Sequence, residues 1–134
     1  MSKIIKKLVL SSSKAPQAIG PYSQAIQVDN SIYVSGQLGM KAETLKLVEG
    51  GVAKEARQAL LNIGHILKVA DYSYDHVVKT TVFLTDIKDF EVVNKVYEEF
   101  FNEPKPARSV FQVVALPRGG KVEIEAVAFR ENIQ

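Results

Sequence analysis

The chain has 134 residues, a net charge of +2 and no cysteine. That length fits one domain that can bury roughly two thirds of its unfolded surface, and the missing thiols exclude disulfides, a cysteine nucleophile and cysteine-held metals. The small charge makes no electrostatic case for nucleic-acid binding, no apolar run approaches the ~20 residues of a membrane span, and 46% hydrophobic with 24% charged residues suits a soluble globular fold, by default cytosolic.

Residues 4–10 read as a first strand. Lys3, Lys6 and Lys7 are interspersed with Ile4, Ile5, Leu8, Val9 and Leu10, but an organelle-targeting segment would carry arginine. A loop with Pro16, Gly20 and Pro21 follows. Residues 23–28 and 31–36 are two strand-like runs joined by Asp29-Asn30, a two-residue hairpin signal. Glycines at 36, 39, 50 and 51 punctuate a long connection over 37–50. Residues 51–70 predict a helix, because Val52, Ala56, Ala59, Leu60, Ile63, Ile66, Leu67 and Ala70 recur at helical spacing, with Leu61 an exception on the polar side. Residues 76–85 are rich in β-branched side chains and read as a central strand. Asp86 or Asp89 can cap a second helix near 88–101, with the stripe Phe90, Val93, Val96, Tyr97, Phe100 and Phe101. Pro104 and Pro106 end it. Strands near 107–114 and 121–130 close the chain.

The order β-β-β-α-β-α-β-β predicts one α+β domain over 1–134, in which two helices cover one face of a mixed sheet. The other face is half apolar. On the last strand it shows Val127 and Phe129 beside Glu123 and Glu125, and on the fourth either Val78, Val82 and Leu84 or Val77 and Phe83. Such a face predicts self-association, with clefts between copies as natural sites.

The last two strands read as neighbours, which would bring Arg108 toward the glutamates. Arg108 starts an apolar strand after Pro106-Ala107 and suits a bidentate grip on a carboxylate or phosphate; a surface arginine is the equal alternative. Glu123 suits a general base, although taken alone an exposed or salt-bridged glutamate is the commoner case. Tyr22, in Gly20-Pro21-Tyr22-Ser23, either caps a pocket or packs on the core rim. Ser35-Gly36 at a strand end allows close backbone approach. Asn94, between Val93 and Val96, reads alone as outward-facing. His65 and His76 make no metal pattern, and no P-loop, dinucleotide fingerprint or nucleophile elbow is present.

Together, Ala18-Ile-Gly-Pro-Tyr-Ser-Gln-Ala25, Tyr33-Val-Ser-Gly-Gln37, Val78-Lys-Thr-Thr81, Pro106-Ala-Arg108 and Val122-Glu-Ile-Glu-Ala126 resemble the reactive intermediate deaminase A family, its animal-type members most. The resemblance runs from about Lys3 to Phe129. It implies a chorismate-mutase-like subunit in a homotrimer with intersubunit sites. It implies hydrolysis of reactive 2-imino acids, such as 2-iminobutanoate and 2-iminopropanoate, to 2-oxo acids and ammonia, with neither metal nor organic cofactor. By the same resemblance Arg108 grips the substrate carboxylate, Glu123 acts on water, and Tyr22, Ser35 and Asn94 line the pocket. Val110 stands where many bacterial members carry cysteine, which leaves its backbone carbonyl as the group able to take part. The connection at Thr44-Leu45-Lys46 lacks the family's usual glycine turn. An endoribonuclease or translation inhibitor, and a non-enzymatic small-ligand or chaperone-like module, are the competing expectations; RNA and membranes are not expected partners, and a mitochondrial or nuclear fraction is compatible with the chain.

Overall fold

The computed structural model of the chain describes residues 6–131. Its first strand, β1, is Lys7–Leu10, so residues 4 and 5 of the expected strand lie outside the described part. It is followed by β2 (Ala25–Val28), β3 (Ser31–Leu38), α1 (Val52–Lys68), β4 (Val77–Leu84), α2 (Phe90–Glu98), β5 (Ala107–Gln112) and β6 (Val122–Phe129). The element order is the expected one. Asp29, at φ 50°, turns the hairpin between β2 and β3, which pair from Val28 opposite Ser31. At the start of the second helical segment Asp86 accepts a hydrogen bond from the Lys88 amide at 2.9 Å, capping a 3-10 turn over Ile87–Asp89 rather than α2 itself. In the turn at 44–46 Leu45 takes the φ of 57° that glycine would hold without strain.

The six strands lie in the order β1-β2-β3-β6-β4-β5, with only β4 and β5 parallel. β4 therefore separates β5 from β6, which corrects the expectation that the last two strands are neighbours. A strand that follows α2 enters parallel to β4 at the edge, and the chain then returns to the middle, where β6 pairs with both β3 and β4.

Both helices pack on one sheet face. There Ala56, Ala59, Leu60, Ile63, Ile66 and Leu67 of α1, with Val93, Val96 and Tyr97 of α2, bury Val122, Ile124, Ala126 and Ala128 of β6. Leu61 is exposed, as its position outside the stripe requires. Phe90, expected in the stripe of α2, is instead 37% exposed at the first residue of the helix. The two alternatives for β4 resolve into neither set. Thr80, Val82 and Leu84 face the helices, but a bulge between Val77 and Lys79 turns Val77 inward as well and leaves Val78 exposed.

The second sheet face has no cover among the described residues. One rung across it reads Val9, Ile26, Tyr33, Val127 and Lys79, and reaches Ala107 on the edge strand β5. Tyr33, Phe111 and Phe129 are each about half exposed.

Candidate active site

Strand β6 sends alternate side chains to opposite faces, so the burial of Val122 and Ile124 under the helices forces Glu123 and Glu125 to the open face. Beside Glu123, β3 carries a second bulge. Val34 pairs with Ala126 and Gln37 with Ile124, so Ser35 and Gly36 together oppose Glu125. The bulge brings the β3 backbone against the Glu123 side chain: a Cβ on Gly36 would lie 2.8 Å from the Glu123 carboxyl carbon. The glycine matters there by contact and not by backbone angle, since a methyl would have to push the Glu123 side chain aside.

Glu123 is half-buried. Burial, and then the charge of Glu125, push its carboxyl above the ordinary glutamate range. It opens on a cleft of about 470 Å³ whose walls include Ile19 and Tyr22 of the loop before β2, Ser35 of β3, and Arg118 of the turn before β6. The Ser35 hydroxyl donates to the Ser23 carbonyl at 2.6 Å, and the Ser35 amide donates to the Gln24 carbonyl at 2.9 Å. With its hydrogen committed, the Ser35 oxygen can only accept from a ligand. The Tyr22 ring stands half-exposed at the mouth and packs on Gly20.

Arg108 does not belong to this cleft within one chain. Its register partner on β4 is Thr80, which faces the helices, whereas the β4 partner of Glu123 is Phe83, which faces the open side. Arg108 and Glu123 thus project from opposite faces of the sheet, and the expectation that they meet is not met inside one protomer. The guanidinium lies under α2. Its Nη1 donates to Asn94 Oδ1 at 2.7 Å, and its centre sits 4.8 Å from the Tyr97 ring and 5.5 Å from the Phe90 ring. Among the described residues no carboxylate pairs with it. A guanidinium stacked on aromatics, held by a neutral amide and open on its remaining side is prepared for an external anion. Glu98, Lys105 and Pro106 complete a hollow of about 280 Å³ around it.

Tyr97 stays a neutral phenol. Burial raises its pKa, against smaller downward effects of its 2.8 Å hydrogen bond with Thr80 and of Arg108. Asn94 faces Arg108 rather than water. Phe90, Asn94 and Tyr97 stand at i, i+4 and i+7, one helical face, and that spacing was the sequence signal for an arginine platform. Val110 shares the Arg108 side of β5 and its side chain packs against the core. Val113 N–H donates to Leu84 at 2.8 Å, so in a parallel pair the alternate residues Val110 and Arg108 turn their backbone groups toward the free edge. Arg118, which the sequence reading did not single out, sits at φ 62° on the wall of the Glu123 cleft.

The Endoribonuclease L-PSP family profile matches residues 12–130. The chain belongs to this family. It is 58% identical over 128 residues to the 2-iminobutanoate/2-iminopropanoate deaminase of Bos taurus, covering 96% of this chain and 93% of the relative. Among solved structures, RidA from the Antarctic bacterium Psychrobacter sp. PAMC 21119 superposes with a TM-score of 0.89 at 46% identity, covering 92% of this chain and 99% of that one. The Escherichia coli protein TdcF, solved with bound serine, superposes at 0.87 with 38% identity over 92% and 99% of the two chains. The sheet with two helices on one face is the family fold.

Proposed function

We propose that this family member hydrolyses 2-imino acids, such as 2-iminobutanoate and 2-iminopropanoate, to 2-oxo acids and ammonia, at sites shared between copies of the chain in a homotrimer. The observation that carries the reading is the pair of half-sites: a carboxyl group above a cleft on one sheet face, and on the other a guanidinium with no carboxylate partner among the described residues. Two groups on opposite faces of one sheet act on one small molecule only if different copies supply them. The uncovered apolar face gives those copies a reason to associate.

Each side chain then has a task. Arg108 of one copy holds the substrate carboxylate, fixed in direction by Asn94 and by the Tyr97 and Phe90 rings. Glu123 of another takes a proton from water as the oxygen adds to the imine carbon. The C=N electron pair moves to nitrogen, which gains a proton. The hydroxyl proton of the resulting carbinolamine is passed to nitrogen as the C–N bond breaks, the oxygen keeps its electrons to form the 2-oxo group, and nitrogen departs as ammonia. An imine carbon is already electrophilic, so orientation and one well-placed base suffice. Ser35 accepts a hydrogen bond from substrate N–H or from the water, Tyr22 donates at the mouth, and the Val110 carbonyl borders the substrate at the β5 edge.

The test generates 2-imino acids with an amino-acid oxidase and traps them with semicarbazide. The protein should outcompete the trap, Arg108→Ala should not, and sedimentation should give three chains per particle. Full activity in Arg108→Ala, or a monomeric active species, refutes the reading. The family description keeps RNA cleavage as the second reading, but no histidine lines the Glu123 cleft and RNA cleavage usually needs a paired acid and base. RNA degradation that survives purification and disappears in Glu123→Gln would favour it. No helix among the described residues is long and apolar enough to cross a membrane.

A further inference from the structure

Gln24 lies in the motif that also carries Tyr22, yet it is not among the residues that line the cleft. It is 3% exposed. A buried amide must place two donors and an acceptor, and here all of them go to one segment. Oε1 accepts from the Ser12 amide at 2.7 Å. Nε2 lies 3.1 Å from the Ser12 carbonyl, 2.8 Å from the Pro16 carbonyl and 3.4 Å from the Ala15 carbonyl. The same residue's backbone carbonyl accepts from the Ser35 amide. The side chain therefore closes the loop between β1 and β2 on itself, while the backbone of the same residue ties the loop end to the bulge of β3.

That loop supplies Pro16, Gln17, Ile19 and Tyr22 to the cleft. Pro16 is thus both a wall of the cleft and a direct partner of Gln24. Beyond Gln24, the Ser35 hydroxyl holds the Ser23 carbonyl at 2.6 Å, and the other anchors are short-range: Lys14 N–H donates to Ser12 Oγ at 3.1 Å, Ile19 N–H to the Tyr22 hydroxyl at 3.5 Å, and the Ala15 and Tyr22 amides make turns within the loop. Most of its length is exposed. A loop with both ends held by one residue loses little entropy when a ligand docks against it; the same loop unheld must be ordered by the ligand.

We infer that Gln24 is a positioning residue, which pre-forms the loop wall carrying Tyr22 and so sets substrate affinity without touching substrate. This rests on the reading of the Glu123 cleft as the place where substrate sits. Gln24→Met keeps length and removes every side-chain hydrogen bond, leaving the backbone bond to Ser35 in place. Gln24→Glu keeps shape and the acceptor for Ser12 N–H, but turns an anion toward three carbonyl oxygens. Protonation restores a donor, so the Gln24→Glu defect should recede as pH falls, whereas the Gln24→Met defect should not.

Hydrogen exchange and kinetics on the assembled protein test this together. In Gln24→Met the Ser12 amide should exchange about a hundredfold faster while the amides of β6 keep their protection. KM should rise about tenfold, with kcat changed far less. Tyr22→Ala alone should raise KM, and adding Gln24→Met to it should cost little more, because both changes remove the same wall. Unchanged Ser12 exchange, a pH-independent Gln24→Glu defect, or full multiplication of the two losses would overturn the inference while leaving the cleft as the site. An inert Tyr22→Ala would instead overturn the reading of the cleft, and with it any role for Gln24 in affinity.

Discussion

Mixing two inactive variants gives the sharpest test of a site divided between chains. Arg108→Ala keeps Glu123 and its cleft; Glu123→Ala keeps the guanidinium on its platform under α2. Each pure variant should lose about a hundredfold or more in kcat/KM, because each site lacks one of its two charged groups. Co-refolded at equal amounts, the chains assemble at random. Any site then draws a native Arg108 from one copy with probability one half, and a native Glu123 from the next copy with the same probability. About a quarter of the sites should be whole, in any closed ring where each site takes one residue from each of two neighbours. The assay is the semicarbazide competition, with mixtures prepared by denaturation and refolding and compared with the separately refolded variants. Activity near a quarter of the native value is the expected result. No recovery, in mixtures shown by mass spectrometry to contain both chains in one particle, would refute the division of the site. The sheet makes this result hard to imitate. Arg108 and Glu123 face opposite ways, and β4 stands between their strands.

Other consequences follow from single contacts. Glu123 must be ionised to act as base, so kcat/KM should rise with pH through its pKa. Removing a like charge with Glu125→Gln favours the carboxylate, so that acidic limb should move to lower pH; a limb that stays put would exclude Glu123 as its source. Gly36→Ala would bring a methyl to 2.8 Å from the Glu123 carboxyl carbon, and should lower kcat/KM at least about tenfold, with far-ultraviolet circular dichroism unchanged. Tyr97→Phe leaves the fully buried Thr80 hydroxyl without its partner at 2.8 Å, and should cost about 1–3 kcal/mol in urea unfolding. Phe90→Ala removes one of two rings from Arg108 at a partly exposed position, and should raise KM severalfold with stability within about 0.5 kcal/mol.

Periodicity carried most of the fold. The helical stripe from Val52 to Ala70 and the alternation of Val122, Ile124, Ala126 and Ala128 against Glu123 and Glu125 follow from a chain that must bury its apolar atoms at a fixed repeat. The family motifs carried the identities of Tyr22, Ser35, Arg108 and Glu123. Strand order was not legible, because a local pattern tells which face of a strand is buried and nothing of which strand lies beside it. For that reason β5 and β6 were read as neighbours, and Arg108 as lying close to Glu123. The bulges at Val78 and at Ser35-Gly36 were hidden too, since alternation assumes one residue opposite one residue and a bulge sets two against one. Composition and pattern were thus enough for the elements, for the buried sides of α1 and β6 and for the half-polar open face, but not for the buried side of β4. Which strand lies at the edge, which aromatics support Arg108, and that the guanidinium and the carboxyl group leave the sheet on opposite sides came from pairing between distant segments, whose energy depends on neighbours that no local window contains.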